Sequence, residues 1–277
     1  MDVVKEEQLD SPFAGLQLQD ASNGRPSVED IVRRTLVVGA GGSGVLLATH
    51  MEARHVARYG KVHDSTRFLG FDVVDSPPIV TLEREDVLEV EPRPVTVRLE
   101  QGTEYCRIGK DCDPTRLSHV LNQNPGLNPG LRELLDRQPG RRFTKSLENG
   151  TEGERLYGLL AFFWSLVQVR NLLMATLKEL NDLRLPGEGR DSAAVSTMSI
   201  LVVIAASLAG GVGSAISLPL CGEVKRAMDR LGMDVNQSLF LGVFFTPECF
   251  PETTLRLSNT CETLADCGVA QWEGVIP

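Results

Sequence analysis

The stretch Ser199–Leu220, SILVVIAASLAGGVGSAISLPL, separates two possible architectures for this chain. It belongs to a run, 192–222, that contains no charged residue and has the length of a membrane-spanning helix, about 20 residues. However, the glycines at 210, 211 and 213 would each weaken a helix by about 1 kcal/mol relative to alanine. The β-branched residues at 201–204 run into small residues, as a buried strand does before a turn. We therefore predict a strand, a glycine loop and a helix, and no membrane span.

The charge balance limits the partners that the chain can bind. With 28 Lys and Arg against 37 Asp and Glu, the 277 residues carry a net charge of −9. Because nucleic acids and anionic membranes require a basic surface, we expect neither as a partner. The six cysteines include no Cys-x-x-Cys pair and there are only four histidines, so we predict no metal site. The N-terminus has no signal-peptide pattern, and we expect a cytoplasmic protein.

The composition along the chain predicts a leader and one domain. Residues 1–30 are polar and predict a flexible leader. Residues 31–277 predict one domain, with an irregular insertion at about 76–153 that is dense in Asn, Pro and Gly at 122–140.

The first part of the domain reads as a strand, a turn, a helix and a second strand. Thr35–Val38 is a short β-branched run, and the glycine-rich sequence GAGGSG follows it at 39–44. Val45–Tyr59 shows a helical stripe of apolar residues, and Arg67–Phe71 predicts the next strand. This is the pattern of a βαβ unit.

The second part repeats that order after one long helix. It predicts a helix at Arg155–Leu183, a strand at Ser199–Leu208, a helix with apolar positions from Ile216 to Leu231, a buried strand at Leu239–Phe245 and a short helix at Leu255–Cys267. Pro219 is expected in the first turn of its helix, where proline removes no hydrogen bond. The predicted fold is therefore α/β: a Rossmann-like three-layer sandwich with a mostly parallel sheet.

Two glycine loops in this pattern predict a binding site for an anion. GAGGSG at 39–44 and AGGVGSA at 209–215 each follow a predicted buried strand and precede a helix. Residues without side chains let backbone N–H groups approach phosphate oxygens, and a helix N-terminus adds partial positive charge. In a parallel sheet both loops emerge at the carboxyl edge, where α/β proteins bind their ligands.

The chain resembles the superfamily of tubulin and the bacterial cell-division tubulins, most closely its divergent bacterial tubulin-like branch. The matching residues are VGAGGSG at 38–44, FLGFD at 68–72 and SLAGGVGSA at 207–215, which stands where the family has Gly-Gly-Thr-Gly-Ser-Gly. LFLGVFFTPECF at 239–250 and SNTCETL at 258–264 resemble the strand, proline turn and helix that follow.

This resemblance implies that the chain binds GTP between the two glycine loops, and Mg²⁺ is a further ligand expected there. It implies a phosphate-binding role for the first loop and for the second, and a place for Asp72 near the phosphates or magnesium. The residues concerned are Gly39, Ala40, Gly41, Gly42, Ser43, Asp72, Ala209, Gly210, Gly211, Val212, Gly213 and Ser214. Glu252 and Arg256 are the candidates for contact with the ribose. No residue is assigned a catalytic role.

The departures from the family concern catalysis. Val212 replaces a threonine of the signature, and Ala215 replaces its last glycine. The sequence stops at Pro277, before the central helix and second domain of the family, so we expect a truncated nucleotide-binding domain. The resemblance then implies GTP hydrolysis only if a partner supplies the missing carboxylates, through self-association or a partner tubulin-like chain.

Three other functions remain open from the sequence. GAGGSG followed by FDVVDS at 71–76 also suits an ATP-dependent adenylating enzyme of the ubiquitin-activating type, although its Cys-x-x-Cys motifs are missing. A dinucleotide-dependent oxidoreductase is less suitable, because Asp72 lies too far downstream of the glycines. A non-enzymatic interaction module stabilised by a nucleotide needs no catalytic residue.

Overall fold

Five parallel strands form the central sheet of the protein. The computed structural model describes residues 34–82, 94–112, 147, 150–183, 200–249, 256 and 258–265, so the predicted leader and much of the predicted insertion lie outside the described residues. In chain order the elements are β1 (Arg34–Ala40), α1 (Gly41–Tyr59), β2 (Thr66–Asp72), β3 (Val80–Leu82), β4 (Val95–Val97), β5 (Tyr105–Arg107), α2 (Arg155–Trp164), α3 (Leu166–Asp182), β6 (Ile200–Ser207), α4 (Gly211–Arg230) and β7 (Leu239–Phe245). Residues 256 and 258–265 are also helical.

The order of the strands confirms the predicted α/β fold. The sheet runs β5-β2-β1-β6-β7, and every neighbouring pair in it is parallel. The strands β3 and β4 form a separate antiparallel pair. The sequence 200–220 is therefore β6, a glycine loop and the first half of α4, as predicted.

Helices cover both faces of the sheet, because successive side chains of a strand point to opposite faces. On one face, Val37 of β1 and Phe68 of β2 pack with Val45 and Ala48 of α1. On the other face, Leu36 and Leu69 belong to a larger core that includes residues of α2, α3 and α4. This is the predicted three-layer arrangement.

Helix α1 lies unusually close to the sheet. The apolar stripe predicted for it included Leu46, but this side chain is 42% exposed, whereas the helix buries Gly44, Ala48 and Ala53 against the strands. A β-carbon on Gly44 would lie 2.9 Å from the carbonyl carbon of Ala205 in β6. Small residues, together with Val45, therefore form much of the surface by which this helix contacts the sheet.

The single helix predicted at Arg155–Leu183 is wrong, because it is two helices bent by 69° around Ser165. The Ser165 hydroxyl accepts a hydrogen bond of 2.8 Å from the backbone N–H of Gly109. Because this partner comes from a distant part of the chain, helical periodicity alone could not locate the bend. Within the described residues no single helix is long and apolar enough to cross a membrane, although α2 and α3 pass that test of length and composition as a bent pair.

Pro219 is not in a first turn as predicted, because α4 begins at Gly211 and includes the proline in its interior. Proline cannot donate to the carbonyl four residues earlier, which costs about 3 kcal/mol in a helix interior. Ile216, Leu220 and Val224 flank it and are fully buried. Each contributes about 2 kcal/mol on burial, which offsets the lost hydrogen bond.

The strand β7 has the predicted bounds but is not buried. It lies at the edge of the sheet, and Leu239, Leu241 and Phe244 are 56%, 49% and 41% exposed. A continuous apolar run predicts burial on both faces for a strand in the interior of a sheet. The strand order makes β7 an edge strand instead.

Candidate functional site

The two glycine loops lie side by side at one edge of the sheet. Ala40 at the end of β1 pairs with Ala206 of β6 in parallel register. Helix α1 begins at Gly41, directly after β1, and helix α4 begins at Gly211, shortly after β6 ends at Ser207. The N-termini of both helices therefore meet at the carboxyl edge of adjacent strands.

The backbones of the two loops are in contact. Gly41 has a left-handed conformation, with φ of 70°, and a β-carbon there would lie 2.6 Å from the backbone nitrogen of Gly213. A β-carbon on Gly213 would lie 2.8 Å from backbone atoms of Ser207 and 2.9 Å from the carbonyl oxygen of Ala40. Only glycine fits at either position without displacing the other loop.

The electrostatics of this edge favour an anion. The N-cap residues Ala40 and Gly210 make no side-chain hydrogen bond to their helices, and neither first turn contains an acidic residue. The first N–H groups of a helix have no partner within the helix, and the helix dipole places partial positive charge there. Two such ends next to each other form a site with several backbone donors.

Three of the predicted residues are accessible at this site. Gly42 is exposed, and Ser43 and Gly210 are half-buried. Among the described residues, the one near neighbour of a β-carbon on Gly42 would be Oδ2 of Asp72 at 3.6 Å, and a β-carbon on Gly210 would make ordinary contact with Ser207 at 3.7 Å. The open face of the site therefore lies around Gly42 and Gly210.

The other predicted loop residues lie beneath that face. The buried ones are Gly39, Ala40, Gly41, Ala209, Gly211, Val212, Gly213 and Ser214. A β-carbon on Gly39 would lie 2.6 Å from the carbonyl carbon of Gly44, so Gly39 serves the packing of α1. Val212 belongs to the main hydrophobic core. The Ser214 hydroxyl donates to the carbonyl of Gly210 within the helix.

Asp72 lies at the end of β2, beside the first loop. Its side chain is 5% exposed, and Oδ1 accepts a hydrogen bond of 2.8 Å from the backbone N–H of Val73. Burial raises the pKa of Asp72 to about 6, against the lowering effect of that hydrogen bond. The carboxylate therefore changes its charge close to neutral pH, and a cation beside it would keep it ionised.

A third loop, 150–154, packs against the second glycine loop, 209–215. The sequence does not predict it as part of the site. A β-carbon on Gly211 would lie 2.7 Å from the carbonyl carbon of Gly153 and would also clash with the hydroxyl of Thr151. Gly150, Glu152 and Gly153 all have positive φ. The glycines around 150–153 are the sequence signal for this turn, but nothing in the sequence indicates what the turn contacts.

The structure describes one of the two residues that are predicted to contact the ribose. Glu252 lies outside the described residues, whereas Arg256 is helical and half-buried. Arg256 precedes the segment 258–265, in which Asn259 is buried and donates hydrogen bonds to the carbonyls of Gly153 and Ala209. The helical segment 258–265 is thus attached to both loops around Gly211.

No group of three or more His, Cys, Asp or Glu side chains that could hold a metal ion occurs within the described ranges. Asp72 is the carboxylate that the described residues place against Gly42 of the first loop. A magnesium ion in this place would need most of its ligands from phosphates and water, as is usual for nucleotide-bound Mg²⁺.

Comparison with known proteins gives one family. The family model described as tubulin like matches residues 36–267. The match begins within β1 and extends past the helical residues 258–265, so it includes both glycine loops, Asp72 and Asn259. Among curated proteins there is no significant match.

Proposed function

The chain belongs to the tubulin-like family, and from this we propose that it binds a guanine nucleotide, with the phosphates of GTP between the two glycine loops. The observation that carries the proposal is the contact between Gly41 and Gly213, which brings the N-termini of α1 and α4 to one edge of the sheet. Paired helix N-termini built from small residues are suited to a polyphosphate.

The accessible residues have separate parts in this proposal. The N–H groups in the first turns of α1 and α4, next to Gly42 and Gly210, donate hydrogen bonds to phosphate oxygens. The Ser43 hydroxyl adds a further donor at the same face. Asp72 holds Mg²⁺, directly or through a water, because its Oδ2 faces Gly42. Arg256 contacts the ribose from its position just before the helical segment 258–265.

Hydrolysis is proposed only for an assembly. Val212, which stands where the family signature has threonine, places an apolar side chain in the core and offers no hydroxyl to a phosphate. We therefore propose that a single chain binds GTP, and that a second copy or a partner tubulin-like chain completes any GTPase site.

The proposed setting is the cytoplasm of a bacterium. In the described part of the chain, Cys106, Cys249 and Cys261 are free thiols. Free thiols persist in a reducing compartment. The bacterial origin rests on the sequence resemblance alone.

The proposal is tested by titrating the protein with fluorescently labelled GTP, ATP and NAD in magnesium buffer. We expect GTP to bind at least tenfold more tightly than ATP, and NAD to bind weakest. Tighter binding of ATP would favour the adenylating enzyme instead, and no binding of any of the three would refute the proposal.

A further inference from the structure

Asn259 joins two loops that meet at the candidate site. Its Nδ2 atom donates hydrogen bonds to the carbonyl oxygen of Gly153, at 2.7 Å, and to that of Ala209, at 3.2 Å. Because carbonyl oxygens only accept, the amide nitrogen must face them, and both of its hydrogens are used. The residue is 2% exposed, so no water replaces these bonds without a rearrangement.

The two carbonyls flank the start of α4. Ala209 precedes the N-cap residue Gly210, and Gly153 packs directly against Gly211. A second contact lies one turn further along, where Thr263 Oγ1 is 3.2 Å from the carbonyl oxygen of Ser214, although its single hydroxyl hydrogen has a nearer acceptor in the carbonyl of Asn259 at 2.7 Å. The helical segment 258–265 is therefore attached through Asn259 to the loop that leads into α4, and it contacts the first turn of α4 through Thr263.

We propose that Asn259 is a positioning residue of the nucleotide site, which couples phosphate binding at the start of α4 to the stability of the helical segment 258–265. This inference rests on the function proposed above. An anion bound by the first N–H groups of α4 fixes the orientation of the same turn that Asn259 holds. By thermodynamic linkage, a ligand that stabilises this turn also stabilises the segment attached to it.

Two substitutions separate positioning from folding. Asn259→Asp keeps the shape of the side chain but sets carboxylate oxygens against two carbonyl oxygens, and Asn259→Ala removes the link without repulsion. Thr260→Ala is the matched control. Thr260 is also buried, and the acceptor of its hydroxyl among the described residues is the carbonyl of Arg256, four residues earlier.

The first measurement is the ratio of the affinities for GTP and guanosine, which isolates the contribution of the phosphates. We expect this ratio to fall about tenfold in both Asn259 variants, equivalent to about 1.4 kcal/mol, and to stay unchanged in Thr260→Ala. A purely structural role would lower the melting temperature and leave the ratio unchanged, and that result would overturn the inference.

The second measurement is amide hydrogen exchange with and without GTP. In the wild type and in Thr260→Ala, GTP should slow exchange at 258–265, and in Asn259→Ala it should not. The wild-type result remains decisive even if both Asn259 variants fail to fold, because unchanged exchange there refutes the coupling. A wild type that binds no nucleotide refutes the proposed function as well, whereas nucleotide binding without coupling refutes this inference alone.

Discussion

Gly41 and Gly213 approach each other so closely that a β-carbon on Gly41 would lie 2.6 Å from the backbone nitrogen of Gly213. The two residues belong to different glycine loops, which are separated by most of the described chain and meet because β1 and β6 are neighbours. Neither loop can shift without moving the other. The anion site proposed here depends on this contact, since it sets the relative position of two helix N-termini.

Substitution of Gly41 by alanine should destabilise the fold and abolish nucleotide binding. The left-handed conformation costs about 1–2 kcal/mol for a residue with a β-carbon, and overpacking against Gly213 adds about 1–3 kcal/mol. We expect the free energy of unfolding to fall by about 2–5 kcal/mol in urea denaturation. Gly42→Ala is the control, because in the described part of the chain its β-carbon meets Asp72 alone, at an ordinary contact distance of 3.6 Å. Equal losses of stability in both variants would contradict this explanation.

A carboxylate at the open face should prevent phosphate binding without unfolding the protein. We expect Gly42→Asp to weaken GTP binding by at least about a hundredfold, because it places negative charge beside phosphate and Asp72. Gly222→Asp adds the same charge within α4, about 16 Å along the helix from its first residue and near the side chain of Arg226. This variant should leave the affinity for GTP unchanged. Fluorescence titration measures both, and equal affinities in the two variants would place the phosphates elsewhere. Gly211 is unsuitable for this test, since any side chain there meets the loop 150–154.

The proposed magnesium role of Asp72 predicts a pH dependence. Its pKa of about 6 in the folded protein means that Mg²⁺ must displace a proton below that value. Magnesium-dependent GTP affinity should therefore be constant above about pH 7 and fall by up to tenfold per pH unit below pH 6. Asp72→Asn should abolish this dependence, and calorimetry at several pH values would detect it. An unchanged profile in that variant would exclude Asp72.

Asp72→Asn, which removes the proposed magnesium ligand, should stabilise the ligand-free fold at neutral and higher pH. The folded-state pKa of Asp72 lies above its ordinary value of 3.8, so its favourable contribution is present at low pH and is lost as the pH rises through 6. The ionised form costs about 3 kcal/mol at pH 8. Without ligand, Asp72→Asn should therefore be more stable than the wild type at pH 8 and similar to it near pH 4.

Glu52 in α1 predicts a second pH effect that is independent of nucleotide. It is buried, its Oε2 has no hydrogen-bond partner among the described residues, and burial, with a smaller effect of Glu104, raises its pKa to about 7. Stability should thus decrease as the pH rises through 7, by up to about 3 kcal/mol. Glu52→Gln should remove this decrease in denaturation experiments at pH 5 and pH 8. A parallel decrease in wild type and variant would contradict the assignment.

Glu223 should contribute strongly to the packing of α3 against α4. It is 4% exposed and accepts two hydrogen bonds from Arg170, at 2.8 and 3.0 Å, and another from Arg226. Burial raises its pKa, but the arginines outweigh this effect and the pKa is lowered. Glu223→Ala should cost about 2–3 kcal/mol in urea denaturation.

The control for Glu223 is an exposed pair on the same protein. Lys61 and Asp64 lie 3.2 Å apart but are 70% and 69% exposed. Such pairs contribute little, so Asp64→Ala should change the stability by less than about 1 kcal/mol. Similar losses of stability in Glu223→Ala and Asp64→Ala would show that burial does not decide how much an ion pair contributes to the stability of this protein.

Several features of the fold could be predicted because they depend on local patterns. The runs at 35–38 and 201–204 are rich in β-branched residues and lead into small residues and glycines, so they predict buried strands before turns, and both strands occur. The positions of the glycine loops follow from the same pattern. The bend at Ser165 could not be predicted, since the residue that hydrogen-bonds to its side chain, Gly109, is far away in the chain.

By itself the sequence determined the fold class, the positions of the two loops and the family, because strand periodicity and glycine spacing are encoded within short segments. Only the tertiary structure decided the order of the strands, which brings Gly41 against Gly213 and leaves β7 at the edge of the sheet. It also decided that the loop 150–154 packs against Gly211 and that Asn259 joins this loop to Ala209. Contacts between distant segments depend on which surfaces pack together, and no local pattern records that choice.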